Sequence, residues 1–262
     1  VTGNMIRHAI LNPLRRLAWR MLGPPPQGHS YIGQHGCVRC AASFLAWNQI
    51  DGDYLEFGTW KGGSFIEAYR SIWRSRGDVK AFIRTGEIES WYQKRPRFIA
   101  FDSFIGLPPG EFERHADYEE GAYGCSEDEF LENVKNGGVD LRDVVTVPGF
   151  YDKTLNAETK RRVGIERAAA IMIDCDLYES TVPVLDFITD LVGQGTIIIF
   201  DDWYRYEGRA DKGEQRACNE WLEKNPQIEL LKYWQQGPQS VAFMVNMRGS
   251  RPDDTVPPIN SS

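Results

Sequence analysis

The amino-acid sequence predicts an α/β protein: an open, seven-stranded, mostly parallel sheet with crossover helices, an antiparallel C-terminal strand, and extra helices at the N-terminus. Three observations predict it. Short apolar runs alternate with helix-like stretches along most of the 262 residues, which is the pattern of right-handed βαβ crossovers. Acidic residues follow directly on several of those apolar runs, where strand ends of an open sheet build a site. The alternation breaks near the C-terminus into two successive strand-like runs joined by a turn-rich loop.

Taken in chain order, Met5 to Leu22 sets Ile6, Ile10, Leu14, Leu17, Ala18 and Met21 against Arg7, Arg15, Arg16 and Arg20, a helical pattern that stops before Gly23-Pro24-Pro25-Pro26. Residues 1–35 are therefore expected to be a separate N-terminal helix and linker. Packing on the body or on a second subunit is the preferred role for that helix, and contact with an anionic membrane surface is the other. Cys37 to Gln49 reads as a helix, and Asp53 to Phe57 as a short apolar strand running into Gly58. Arg97 to Phe101, Val144 to Val147, Ala169 to Ile173 and Gly195 to Phe200 are further strands, short and apolar enough to be buried sheet. Helices are expected at Gly63 to Ser75, Glu127 to Asn136, Asp152 to Arg162 and Thr181 to Val192. Residues 75–97 form a charged connection longer than a crossover requires, open to three readings: a lid, an oligomer contact or a surface insertion. Ile228 to Trp234 and Ser240 to Val245 make a hairpin around Gln235 to Gln239. Such a terminal hairpin on a parallel sheet is the hallmark of the class I methyltransferase variant of the Rossmann-like fold. Residues 36–247 are thus expected to form one domain, and 248–262, rich in Pro, Asp and Ser, a flexible tail.

Composition narrows the function. With 30 Lys+Arg against 37 Asp+Glu the net charge is −7, which offers no basic field for nucleic acid and favours small substrates. No run of 18 apolar residues and no secretory h-region with a cleavage site is visible, so no transmembrane segment and a cytoplasmic location are expected. The five cysteines, Cys37, Cys40, Cys125, Cys175 and Cys218, make no disulfide framework, and Cys37/Cys40 lack a second ligand pair for zinc. His8, His29, His35 and His115 read as solvated or capping side chains, not as catalytic bases.

The strand ends carry the chemistry. After the first strand stands Glu56-Phe57-Gly58-Thr59-Trp60-Lys61-Gly62-Gly63-Ser64, where glycines let backbone approach a ligand at a helix N-terminus. Its spacing is not the G-x-G-x-x-G of a dinucleotide fold. The second strand ends in Phe101-Asp102-Ser103-Phe104, where a carboxylate can accept the hydroxyls of a ribose or cap the next element. The fourth ends in Asp174-Cys175-Asp176 and the fifth in Asp201-Asp202. Carboxylates crowded in one cleft call for a cation among them, and a hard divalent ion with oxygen ligands, Mg²⁺ first, is its natural occupant. Pairing with arginines such as Arg205 and Arg209, or helix capping, is the alternative.

The ordered set Glu56-x-Gly58 to Gly62-Gly63-Ser64, Asp102-Ser103-Phe104-x-Gly106-Leu107-Pro108, Gly149-Phe150 to Thr154-Leu155, Asp174-x-Asp176-Leu177-Tyr178-x-Ser180-Thr181 and Asp201-Asp202 resembles the macrocin O-methyltransferase (TylF-type) family over roughly residues 50–245. The resemblance implies S-adenosylmethionine as methyl donor and methylation of a deoxysugar hydroxyl, so the implied partner is a hydroxyl-bearing, glycosylated small molecule. It also implies that Glu56, Phe57, Gly58 and Ser64 line the methionine part of the cofactor, Asp102 and Ser103 its ribose, and that Gly149 and Phe150 lie near its adenine, with Thr59 and Gly62 also binding the cofactor. Asp174, Asp201 and Asp202 would ligate Mg²⁺ or another divalent cation, with Asp176 as general base. Trp203, Tyr204, Tyr206 and Tyr31 are candidates to cover the acceptor ring or to pack elsewhere. Ile105 stands where the family pattern continues with a polar residue, and residues 75–97 and 111–124 have no counterpart in it, so the resemblance does not extend to a macrolide acceptor. A catechol-type phenol is the alternative acceptor, a non-catalytic binding protein and a nicotinamide dehydrogenase are the alternative classes, and a homo-oligomer is an open expectation.

Overall fold

The structure, a computed structural model, describes residues 35–82, 86–109 and 118–249. The N-terminal helix expected over 5–22, its linker up to 34, and residues 250–262 of the expected tail lie outside the described residues.

The chain builds α1 (Gly36–Trp47), β1 (Asp53–Phe57), α2 (Gly63–Phe82), α3 (Gly86–Gln93), β2 (Phe98–Asp102), α4 (Glu127–Asn136), β3 (Val144–Pro148), α5 (Tyr151–Thr154), α6 (Ala157–Val163), β4 (Ala168–Ile173), α7 (Tyr178–Ile188), β5 (Ile197–Phe200), α8 (Gly213–Lys224), β6 (Ile228–Gln236) and β7 (Ser240–Met247). The strands form one seven-stranded sheet in the order β3-β2-β1-β4-β5-β7-β6. Pairings from β3 to β5 are parallel, and β7 runs antiparallel to both β5 and β6. The seven-stranded sheet and terminal hairpin expected from the sequence are therefore present.

Pleating sends alternate residues of each strand to opposite faces. Leu55, Phe57, Ile99, Phe101, Ile171, Ile173, Ile198 and Phe200 join Val184, Leu185 and Ile188 of α7 and Ala217 and Trp221 of α8 in one core. Tyr54, Phe98, Ala100, Ala170, Met172, Ile197 and Ile199 pack with Val38, Ala41 and Leu45 of α1, Phe65 and Ala68 of α2, and Phe130 and Val134 of α4 in the other. Strands β1, β4 and β5 are buried throughout, which is why they read as continuous apolar runs.

Four local expectations are corrected. Helix α2 runs on to Phe82 and is followed by α3, so the connection over 75–97 is largely helical. Its return is anchored at the amino end of the sheet: Lys94 Nζ lies 2.6 Å from Asp51 Oδ2, just ahead of β1. Arg76, 5% exposed, holds the end of α3 by donating to the Trp91 carbonyl at 2.9 Å, with its guanidinium 4.0 Å from the Trp91 ring. The described return of this excursion thus lies at the amino end of the sheet, away from the carboxyl ends of the strands. The single helix expected over 152–162 is broken between α5 and α6, because the Asn156 side chain caps the Thr159 N–H at 2.9 Å and starts a new helix. Helix α7 starts three residues earlier than expected, at Tyr178. Helix α8 has no counterpart in the expectations. Among the described residues no helix is long and apolar enough to cross a membrane.

Candidate active site

The sheet reverses its winding between β1 and β4, and ligands of open α/β sheets bind outside the carboxyl ends of the strands at such a point. There Gly58 follows β1 at φ +84°, and a Cβ on it would stand 1.8 Å from the carbonyl oxygen of Asp174. Only glycine permits the strand ends to come so close. Gly58 N–H donates to the Phe101 carbonyl and Asp174 N–H to the Phe57 carbonyl, both at 2.9 Å, so β1, β2 and β4 end in register.

A cavity of about 620 Å³ opens at these ends. Of the residues singled out in the sequence, Gly58, Asp102, Ser103, Phe150, Asp174, Asp176, Asp201 and Asp202 line it. Glu56, Phe57, Thr59, Gly62, Ser64 and Gly149 do not. Glu56 and Phe57 are strand residues whose side chains enter the two cores, Phe57 stacking on Phe101 at 4.5 Å. Glu56 is 0% exposed, and both its oxygens are occupied: Ser64 Oγ donates to Oε1 at 2.7 Å and the Tyr54 hydroxyl to Oε2. Burial pushes its carboxyl up to about 8, against the pull of those two donors.

Asp102 lines the cavity, yet its carboxylate already accepts four hydrogen bonds. Thr59 N–H (2.7 Å), Trp60 N–H (3.1 Å) and Thr59 Oγ1 (3.2 Å) donate to Oδ2, and Phe104 N–H (2.8 Å) to Oδ1. It ties the glycine-rich turn after β1 to the end of β2, so a ribose hydroxyl would share or displace one of these donors.

One carboxylate oxygen from each of Asp174, Asp176 and Asp202 lies within 4.8 Å of the others. Asp176 sits at φ +63° at the centre of a three-residue turn closed by Leu177 N–H donating to the Cys175 carbonyl at 2.6 Å, a strained position that aims its side chain at the cluster. Burial, with the neighbouring acids Asp201, Asp176 and Asp202, holds Asp174 well above the usual carboxylate range. Burial and the Asp202 carboxylate raise Asp176 in the same direction. Such a set is relieved by protons or by a cation, and its all-oxygen chemistry fits a hard divalent ion. The ligand set expected from the sequence was Asp174, Asp201 and Asp202, with Asp176 apart as base; the structure groups Asp176 with Asp174 and Asp202. Asp201 lines the same cavity, but its Oδ1 accepts from Ser240 Oγ of β7 at 2.5 Å.

Among the cavity residues Tyr118 and Tyr123 carry no signal in the sequence, whereas Trp60 stands in the glycine-rich motif and Arg205 is one of the arginines named as partners for the acids. Tyr118 donates its hydroxyl to Asp202 Oδ2 at 3.1 Å, and the Arg205 guanidinium lies 5.6 Å from its ring. Trp60 and Tyr123 meet edge to face at 6.0 Å in the cavity wall. Of the aromatics expected to cover the acceptor ring or to pack elsewhere, Trp203 packs between Phe200 and Phe243, and Tyr204 and Tyr206 do not line the cavity; Tyr31 lies outside the described residues. No periodic pattern marks Tyr118 or Tyr123, because both stand in irregular loop. His35 is half-buried at the N-cap position of α1, makes no side-chain capping bond, and feels the Asp201 charge while burial lowers its pKa. His8, His29 and His115 are outside the described residues. All five cysteines are free.

An acid-lined cavity at the switch point of this sheet, with a terminal antiparallel hairpin, is the architecture of the Rossmann-like class I methyltransferase fold. The chain belongs to the macrocin-O-methyltransferase (TylF) family, whose sequence profile matches residues 9–220. That match starts well before the segment that carried the resemblance and takes in most of the expected N-terminal helix and linker. The chain is 28% identical over 196 residues (70% of this chain, 67% of the relative) to the 8-demethyl-8-(2,3-dimethoxy-α-L-rhamnosyl)-tetracenomycin-C 4'-O-methyltransferase of Streptomyces olivaceus. It is also 28% identical over 188 residues (68% and 64%) to the demethyldecarbamoylnovobiocin O-methyltransferase of Streptomyces niveus. The chain spans about two thirds of the length of these relatives. The solved O-methyltransferase NovP shares the fold with a TM-score of 0.61 at 24% identity, over 84% of this chain and 83% of that one.

Proposed function

We propose that this protein transfers a methyl group from S-adenosylmethionine to a hydroxyl of a glycosylated small molecule, with a divalent cation, Mg²⁺ first, at the acid cluster. The observation that carries the reading is the convergence of Asp174, Asp176 and Asp202 beside the glycine turn at Gly58, on one cavity large enough for a cofactor and part of an acceptor. The names of the relatives supply the acceptor class, one of them methylating the 4' position of a rhamnosyl-tetracenomycin.

The cofactor would lie along Gly58, Asp102, Ser103 and Phe150, where backbone can approach closely and a carboxylate faces the cavity. Asp174, Asp176 and Asp202 would hold the cation, which when bound supplies Lewis-acid activation of a coordinated hydroxyl. Asp176 is the acid assigned to take the hydroxyl proton, since a carboxylate that gives one oxygen to a cation keeps the other for a proton. Tyr118 orients Asp202, and Trp60 and Tyr123 offer aromatic faces to the acceptor.

The test is a calorimetric titration with S-adenosylhomocysteine, run against NAD and repeated after chelation, followed by turnover of a glycosylated acceptor and its aglycone. Micromolar binding of S-adenosylhomocysteine that survives chelation, with methylation of the glycoside lost on chelation, supports the reading. Binding of NAD alone, or turnover indifferent to chelation, overturns it. Asp202→Asn is expected to lower turnover at least about 100-fold, roughly 3 kcal/mol in the barrier, while leaving S-adenosylhomocysteine affinity within about threefold.

A further inference from the structure

Glu214 is the second residue of α8, in a helical first turn where an acidic side chain is stabilised by the helix dipole while remaining in water. Here it is 1% exposed instead. Its Oε2 accepts the backbone N–H of Asp202 at 3.0 Å, and its Oε1 is buried without a hydrogen-bond partner. A buried polar atom left unsatisfied costs stability and calls for an explanation. Glu214 belongs to none of the grouped ligand oxygens, so it reaches the site through Asp202 and not directly.

The neighbouring contacts show what the placement does. Gln215 Nε2, one residue on, donates to the Trp203 carbonyl at 2.6 Å, and Ser240 of β7 holds Asp201. The turn after β5 is thus held residue by residue: Asp201 by β7, Asp202 and Trp203 by the first turn of α8. That first turn is itself fixed from outside. Gly213 opens α8 at φ +50°, and a Cβ there would come within 2.5 Å of the Tyr206 ring, while Ala217, Cys218 and Trp221 bury the following turns.

We propose that Glu214 is a positioning residue of the acid cluster, pinning the Asp202 backbone from behind so that the Asp202 carboxylate faces Asp174 and Asp176. The inference rests on the divalent-cation reading above for its role in binding, though the contact with Asp202 stands without it. An acceptor oxygen is all the role requires, so an amide serves as well as a carboxyl, whereas an apolar side chain of similar size does not.

The experiment uses the full chain as wild type, Glu214→Gln and Glu214→Leu, with three readouts: Mn²⁺ alone titrated by loss of the free-ion EPR signal, amide hydrogen exchange over residues 200–204, and the melting temperature. Expected are Mn²⁺ binding by Glu214→Gln within about twofold of wild type and at least tenfold weaker binding by Glu214→Leu, the range seen when a partner behind a metal ligand is removed. The Asp202 amide should exchange at least about tenfold faster in Glu214→Leu alone, because its acceptor is gone. The melting temperature of Glu214→Leu should shift by no more than a few degrees, since loss of the unpartnered Oε1 offsets part of the cost of orphaning the Asp202 N–H, and that split between stability and binding separates positioning from a general fold defect. Wild-type Mn²⁺ affinity and Asp202 exchange in Glu214→Leu overturn the proposal. Equal loss of Mn²⁺ in Glu214→Gln and Glu214→Leu overturns it too, by making Glu214 a ligand. If Glu214→Leu fails to fold, Glu214→Met and the Gln variant carry the same comparison. If wild type itself binds no Mn²⁺, the cation reading fails, and the exchange rate of the Asp202 amide still decides whether Glu214 positions that residue.

Discussion

At the scale of single residues, Glu56 is a carboxyl set in a strand that is buried along its whole length. Strand alternation puts Tyr54 and Glu56 on the face under α2 and Leu55 and Phe57 on the other, so the acid in the glycine motif lies behind the cavity instead of lining it. Its folded value of about 8 lies above the 4.5 of the unfolded chain. The folded protein therefore holds a proton that the unfolded chain releases between those values, so this stabilisation is full below about pH 4.5 and is lost as pH rises toward 8. Glu56→Gln cannot ionise and keeps an acceptor for Ser64. Chemical denaturation at pH 5 and pH 8 should show wild type losing roughly 3–5 kcal/mol more than the variant over that span, on the order of 1.4 kcal/mol for each tenfold fall in proton concentration. Parallel pH profiles for the two proteins would remove Glu56 as the cause.

At the scale of elements, glycine positions make opposite predictions. Gly58→Ala forces a Cβ 1.8 Å from the Asp174 carbonyl at φ +84°. It should destabilise the protein by about 3 kcal/mol or more and abolish S-adenosylhomocysteine binding, both readable by urea unfolding and calorimetry. Gly77 lies inside α2 with open space around a Cβ, and Gly77→Ala should stabilise by about 0.5–1 kcal/mol in the same unfolding assay. The elements legible in the sequence are those with one dominant signal. Buried strands such as β4 are unbroken apolar runs, and α4 starts where Ser126 caps Glu129 N–H and ends at Gly137. Helix α8 was illegible because only Gly213, Glu214, Ala217, Cys218 and Trp221 of its twelve residues are buried, a stripe hidden between charged positions after a charged loop. The break between α5 and α6 turned on a single capping asparagine inside an otherwise helical stretch. That the four acids share one cleft was legible, whereas the closer grouping of Asp174, Asp176 and Asp202 was not, and neither was the bond that Ser240, 39 positions away in sequence, donates to Asp201.

At the scale of the whole molecule, the strand order decides the site. Only where β1 and β4 part do the ends of β1, β2, β4 and β5 converge, so acids 100 residues apart, Asp102 and Asp202, face one cavity. That convergence was predictable from alternation and chain order alone, whereas its electrostatic consequence needs burial. The acids behind the net charge of −7 include those of the cluster, which burial and mutual repulsion drive toward protonation. A divalent cation must displace those protons to bind, so its affinity should rise with pH. Thermal melts with excess Mg²⁺ or Mn²⁺ should therefore show a larger gain at pH 8 than at pH 6. At about 100-fold excess over the dissociation constant the gain is roughly 2.7 kcal/mol, or about 5–10 °C for a domain of this size. Chelation should return the melt to its metal-free position, and Asp174→Asn should erase the gain at both pH values. An equal gain in that variant would place the cation elsewhere on this acidic surface, and a gain independent of pH would mean that the cluster is already ionised and held by protein cations instead.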